Sequence, residues 1–120
     1  MREVHGFNMS VRTIESGDVA VLEFAGRLTL GAPAYLFSEA LHELLASHRS
    51  VILDLKSVTA IDCAGVGALC GCIATARTAG KKLRYTTPSP RVQEMLGLTN
   101  VSGLLEACES VEQALIDCAA

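Results

Sequence analysis

The feature that most constrains the fold of this chain is a short apolar segment near its middle. Residues Val51–Leu55, with the sequence VILDL, contain four apolar side chains in five. They lack the alternation of a strand that has one face in water. Such a strand is expected where helices cover both faces of a sheet. The segment therefore predicts the centre of a parallel sheet.

The remaining segments alternate between strand-like and helix-like patterns. Residues on both sides of Ser16-Gly17-Asp18 alternate apolar with polar, which predicts a β-hairpin. Helices are predicted from Pro33, from Cys63 to Ala79, after Ser89 and after Ser110, and further strands at LRYTT (83–87) and GLLEA (103–107). We therefore predict a single α/β domain over residues 1–120, in which an N-terminal β-hairpin joins a mostly parallel sheet of about four or five strands with about four helices.

Composition excludes several classes of function. The formal net charge of −3 gives no general reason to expect nucleic-acid binding. The five cysteines form no disulfide framework, and the first ten residues contain no apolar signal core. The longest uncharged stretch, Cys63–Ala76, is shorter than the roughly 20 residues that span a bilayer. We expect a cytoplasmic protein without membrane insertion or disulfides.

The helix predicted from Cys63 to Ala79 has Asp62 as its N-cap and Gly80 at its end. It is unusual because its first fourteen residues include no charge. Helical spacing predicts an inward stripe of Val66, Leu69, Cys70 and Ile73, and an opposite face of Ala64, Ala68, Gly71, Cys72 and Thr75. Gly65, Gly67 and Gly71 each disfavour the helix by about 1 kcal/mol relative to alanine, which indicates close backbone approach by the domain itself or by a partner. We favour a partner, because a short chain has few elements left to cover this helix.

Several segments together resemble the STAS domain, in particular the stand-alone anti-sigma-factor antagonists. The segments are FAGRL (24–28), LDLKSVTAIDCAGVGAL (53–69), AGKKLRYTTPSPRVQEMLGL (79–98) and SVEQAL (110–115). The resemblance implies a non-enzymatic protein without cofactor or metal that binds the ATPase-fold surface of an anti-sigma factor or switch kinase. It also implies a docking surface made of Gly26, Arg27, Asp62, Cys63, Ala64, Gly65, Gly67 and Ala68.

One position departs from that family's pattern. The family motif commonly has the sequence Asp-Ser-Ser-Gly, and the kinase phosphorylates the second serine. Here Asp62, Cys63 and Gly65 occupy the flanking positions, and Ala64 stands at the phosphorylation position. Alanine has no hydroxyl, so the usual switch is lost there. Ser57 and Thr59 are the nearby hydroxyls that could serve as substitute phosphosites.

Two other functions remain open. The first is a STAS accessory subunit that binds the ATPase of a lipid-transporting ABC system. The second is a thiol- or nucleotide-dependent enzyme. Cys63 would be the thiol nucleophile in the first turn of a helix, but the negative charge of Asp62 beside it disfavours a reactive thiolate. The run GVGALCG resembles a dinucleotide fingerprint, but its third glycine comes one residue late.

Metal binding and acid–base chemistry have little support in the sequence. Cys70 and Cys72 would point about 200° apart on a helix and cannot share a metal. His42 and His48 are expected on the protein surface. Asp54 interrupts an apolar strand without a partner that can be identified from the sequence.

Overall fold

The computed structural model describes residues 2–4, 7–14, 18–86, 88–98, 107–108 and 110–119. Its strands are β1 (Arg2–Val4), β2 (Phe7–Ile14), β3 (Val19–Leu28), β4 (Ser50–Asp54), β5 (Val58–Ile61), β6 (Lys82–Thr86) and β7 (Ala107–Cys108). Its helices are α1 (Ala32–Ser47), α2 (Cys63–Ala79), α3 (Pro90–Leu98) and α4 (Val111–Ala119).

The strands form one mixed sheet in the order β1-β2-β3-β4-β6-β7. The hairpin β2–β3 is antiparallel, whereas β3, β4, β6 and β7 run parallel. The predicted α/β class, hairpin and parallel centre are confirmed. The short strands β1 and β5 were not predicted; β5 pairs with the end of β3, beyond the residues that pair with β4. The hairpin residues Ser16 and Gly17 and most of the predicted strand 103–107 lie outside the described residues.

The helices divide unequally between the two faces of the sheet. Residues of α1, α2 and α3 pack with the hairpin and the central strands in one large apolar cluster. On the other face, Val111 and Ala114 of α4 pack against Val19, Val21 and Ile52. Strand β4 is therefore buried along its whole length, as its sequence predicted.

The helix boundaries follow local signals. Asp62 caps α2, and Gly80 ends it in the left-handed region at φ 69°. Ser89 and Ser110 cap α3 and α4, since their hydroxyl oxygens accept from the amides of Val92 at 3.5 Å and Gln113 at 3.1 Å. Each predicted cap is thus found at its predicted helix start.

Asp54 has the partners that the sequence did not reveal. Its Oδ1 accepts hydrogen bonds from the Thr86 hydroxyl and from the Lys56 amide, both at 3.3 Å. The Thr86 oxygen in turn accepts from the Leu55 amide at 3.0 Å. Because Asp54 and Thr86 are each less than 5 % exposed, these bonds satisfy buried polar groups at the ends of β4 and β6.

The inward face of α2 differs in part from the prediction. Val66, Leu69 and Ile73 are buried as expected, but Cys72 is fully buried and Cys70 is half-buried. The assignment of Cys72 to the outer face was therefore wrong. Its thiol faces α1, which packs beside α2 on the same side of the sheet. Burial raises the pKa of this thiol to about 11.

The histidines also differ from the prediction. His42 and His48 are half-buried rather than freely exposed. His42 lies between α1 and α2, where its ring contacts Ser38, Cys72 and Thr75. His42, which the sequence predicts to lie on the surface of α1, is therefore part of the contact between α1 and α2.

Candidate docking surface

Asp62 holds together the loop that follows β3 and the first turn of α2. Its Oδ1 accepts from the Gly65 amide and its Oδ2 from the Leu30 amide, both at 3.0 Å. Its own amide donates to the Leu28 carbonyl at 3.4 Å. The Leu30 bond, followed by the Gly65 bond, lowers the pKa of Asp62 below its ordinary value. One carboxylate therefore caps a helix and fixes a loop from another part of the chain.

Gly65 is required by this arrangement. A Cβ at Gly65 would overlap the carbonyl oxygen of Leu28 and would lie 2.8 Å from Ile61 Cγ1. The close backbone approach that the sequence indicated is thus made here by the protein's own chain. Gly67 and Gly71 differ, because a Cβ at either would meet nothing within 4 Å.

Gly26 and Arg27 lie at an irregularity between β3 and β5. The pairing register shifts between these two residues. Gly26 has a φ of 111°, a conformation that favours glycine, and its amide donates to the Ser57 carbonyl at 3.0 Å. Arg27 follows with an exposed side chain. The irregularity thus places a cation on the strand that leads into the loop held by Asp62.

The exposed surface of α2 is a continuous line without charge through its first four turns. We call it the open stripe; it consists of Cys63, Gly67, Gly71, Ala74 and Thr78. These residues follow one another at intervals of three or four and so lie on one helix face. Ala64 and Ala68 are half-buried at its margin, and Ala68 packs partly against the core. The centre of the surface therefore lies on Gly67 rather than Ala68.

Two large side chains, in the loop held by Asp62 and at the start of the helix that follows it, are exposed and were missed in the sequence. Leu30 is 79 % exposed and Tyr35 is 61 % exposed, so both are unusually open for large hydrophobic residues. Leu30 lies in the loop held by Asp62, and Tyr35 lies in the first turn of α1. A hydrogen bond to Glu39 raises the pKa of Tyr35. No local pattern distinguishes Leu30 from a buried leucine; the useful signal was its position between Thr29 and Gly31, outside any periodic segment.

The candidate substitute phosphosites lie on a neighbouring part of the same end. Ser57 is exposed in the turn between β4 and β5, and its own carbonyl accepts the hydrogen bond from the Gly26 amide. Thr59 is exposed within β5. The structure thus places both residues beside the Gly26 irregularity, outside the open stripe.

The geometry gives little support to a metal site or to a phosphate-binding site at the start of α2. Within the described residues, no group of three or more His, Cys, Asp or Glu side chains is placed to hold a metal. The amides of Gly65 and Val66 donate to Asp62 Oδ1 and to the Asp62 carbonyl. A phosphate would have to compete with those bonds at the helix start. None of the described helices has the length and apolarity to cross a membrane.

Comparison with known proteins agrees with this organisation. A family model described as "Mlab, STAS domain" matches residues 11–106. The chain belongs to the STAS domain family. This result confirms the family resemblance, and the match extends from the hairpin through Asp62 and α2 and beyond α3.

Solved structures of low sequence identity share the fold. An anti-sigma factor antagonist from Mycobacterium paratuberculosis superposes with a TM-score of 0.81 at 16 % identity, covering 95 % of each chain. The Thermotoga maritima protein tm1081, also described as an anti-sigma factor antagonist, gives 0.81 at 19 % identity and covers 93 % of this chain and 95 % of its own. The murine anion transporter Slc26a9 gives 0.75 at 13 % identity, covering 97 % of this chain but 22 % of the transporter. The same STAS fold thus occurs in stand-alone proteins and within a transporter.

Proposed function

We propose that this chain is a non-enzymatic regulatory STAS protein that docks on the ATPase-fold surface of a kinase-type anti-sigma factor. The observation that carries the proposal is the uncharged open stripe beside the loop held by Asp62. Exposed small side chains allow a partner's backbone to approach, and Leu30 and Tyr35 offer apolar anchors at the edge. Arg27 supplies a charged contact at the rim.

Ala64 gives the proposed regulation its particular form. A phosphate at this position would bring about two negative charges into an uncharged contact and would weaken binding. Ala64 cannot carry one, so the protein stays competent to bind and is regulated elsewhere, for instance by its amount. The half-buried methyl group also leaves the margin of the open stripe apolar.

The second candidate function is the alternative predicted from the sequence, a STAS subunit of a lipid-transporting ABC system. It is consistent with membership of the STAS domain family. In this function the same surface binds the transporter's ATPase. The two proposals share the docking residues and differ in the class of ATPase.

Affinity capture with matched variants tests the docking surface. The chain is used to capture proteins from the native lysate as wild type, as Gly67→Arg and as Ala46→Arg. Gly67 is the centre of the open stripe, whereas Ala46 is exposed near the far end of α1. We expect wild type and Ala46→Arg to retain an ATPase of the anti-sigma-factor class that Gly67→Arg loses, with at least a tenfold fall in affinity, because an interface would bury an unpaired charge.

The class of the lost protein decides between the proposals. Selective loss of an ABC ATPase replaces the first function with the second. Equal retention by all three variants refutes the docking surface itself.

The lost switch is tested with the captured kinase and ATP. We expect Ala64→Ser to acquire one phosphate at residue 64 while wild type acquires none. Phosphate on Ser57 or Thr59 of wild type would contradict the proposal that the protein remains in its binding form.

A further inference from the structure

His42 makes an unusually complete set of contacts between α1 and α2. Its Nδ1 lies 2.8 Å from the Ser38 carbonyl oxygen, and its Nε2 lies 3.0 Å from the Thr75 hydroxyl oxygen. The Ser38 hydroxyl and the Cys72 sulfur lie farther from Nδ1, at 3.4 and 3.6 Å. Both ring nitrogens are therefore engaged, one with each helix.

The hydrogens of this group can be assigned from the chemistry of the acceptors. A carbonyl oxygen only accepts, so the Ser38 contact requires a hydrogen on Nδ1. The Thr75 hydroxyl donates to the Gly71 carbonyl at 3.1 Å. With that hydrogen committed, the Thr75 oxygen accepts from Nε2, which also requires a hydrogen. All three bonds exist together only when the imidazole is protonated.

A neutral ring must give up one of these bonds. With its hydrogen on Nδ1, the ring keeps the Ser38 bond, and the Thr75 hydroxyl turns from Gly71 towards Nε2. With its hydrogen on Nε2, the ring sets a lone pair against the Ser38 carbonyl. The first arrangement retains two bonds and places no two acceptors against each other. The geometry therefore assigns the neutral ring to the Nδ1–H tautomer.

Few charged groups pack around the His42 ring. Across the contact, α2 presents Cys72 and Thr75, and no charged residue occurs in Cys63–Ala76. On α1, Glu39 and Glu43 lie on the exposed flank. The core residues of β3 and β4 that pack under α1 are apolar. Cys72 keeps its hydrogen because burial raises its pKa to about 11.

We propose that His42 is a proton-dependent clasp at the contact of α1 and α2. The His42–Thr75 bond, which joins the two helices, is kept in both states, whereas the Thr75–Gly71 bond within α2 forms only when the ring is charged. Histidine changes charge between about pH 5 and 8. The clasp therefore tightens on the acidic side of that range and loosens on the alkaline side. Its effect on docking rests on the proposed function, because α2 also carries the open stripe.

Nuclear magnetic resonance of the wild-type ring tests the assignment directly. Long-range ¹H–¹⁵N correlations distinguish the charged ring from each neutral tautomer. We expect the charged pattern at acidic pH and the Nδ1–H pattern at alkaline pH. A neutral ring in the Nε2–H form would overturn the proposal, since it would mean that the Ser38 carbonyl receives no hydrogen.

Amide hydrogen exchange tests the mechanical consequence. After correction for intrinsic exchange, we expect local opening of residues 71–76 to rise about three- to tenfold from about pH 5.5 to 8, the factor expected for one net hydrogen bond. Thr75→Val should abolish that rise. Thr78→Val is the matched control because Thr78 is exposed on the same helix, and it should behave as wild type. An equal rise in wild type and Thr75→Val refutes the clasp.

The docking consequence is measured separately with the partner found by capture. We expect wild-type affinity to fall between the same two pH values and Thr75→Val affinity to stay constant. If exchange follows the prediction but both affinities stay constant, the clasp stands and its link to docking fails. If no partner is bound at either pH, the proposed function fails while the ring and exchange results still decide the clasp.

Discussion

Gly65 and Gly67 lie two residues apart in α2, yet the structure uses them in opposite ways. Gly65 is buried against the end of β3, where the Leu28 carbonyl occupies the place that a side chain would need. Gly67 faces open space on the open stripe. The first glycine lets the chain pack on itself, and the second leaves room outside it. Within one glycine-rich motif, the fold therefore requires one glycine and does not require the other.

Gly65→Ala tests the structural role of Gly65 and should have the largest effect on the stability of the protein. The added methyl group would overlap a backbone oxygen that cannot move without disturbing β3 or the start of α2. Overpacking of this kind destabilises by about 1 to 3 kcal/mol, and we expect a value of about 3 kcal/mol. Denaturant unfolding measures it. Gly97→Ala in α3, where a Cβ meets nothing within 4 Å, is the control and should not destabilise the protein.

Asp62→Ala should give the next largest effect, because Asp62 joins the packed turn to the exposed loop. The variant loses the carboxylate bonds to the Leu30 and Gly65 amides. We expect a loss of about 1 to 2 kcal/mol, in the upper range for a helix cap. Asp62→Asn should lose less, since asparagine also caps helices well. A loss as large for Asn as for Ala would contradict the capping role.

Acid titration sharpens the same prediction. The pKa of Asp62 is lowered in the folded protein by its bonds to Leu30 and Gly65. Its charge-dependent stabilisation is therefore fully present above the ordinary aspartate value of about 3.9 and is lost as pH falls through the lower folded value. The stability difference between wild type and Asp62→Asn should stay constant at neutral pH and shrink below about pH 4. A difference independent of pH down to unfolding would contradict this assignment.

The sequence predicted the two ends of α2 better than it predicted which residues of α2 are buried. Asp62 and Gly80 act through neighbouring backbone groups, so short patterns located both ends of α2. Cys72 was assigned to the wrong face because its burial depends on α1, thirty residues away in sequence at His42. Periodicity records which residues share a face, but it contains no record of where a second helix lies.

Strand β5 and the loop that contains Leu30 depend on contacts between residues that are far apart in the sequence. Strand β5 is only four residues long and pairs with β3 across an irregular register. Leu30 is set by its amide bond to Asp62, thirty-two positions later. Neither feature has a local signature. The family resemblance supplied the proposed docking residues, whereas the exposure of Leu30 and Tyr35 required the packed structure.

Gly67→Ala should give the smallest effect, and its sign is opposite to that of Gly65→Ala. The new methyl group meets nothing within 4 Å, and alanine in a helix interior is favoured over glycine by about 1 kcal/mol. We therefore expect the isolated protein to become more stable by about 1 kcal/mol, measured by denaturant unfolding, with Gly71→Ala behaving alike. Destabilisation would show that the stripe is covered by the protein itself. If stability rises and affinity for the captured partner falls, the glycine is explained by docking, because the isolated fold is then more stable without it.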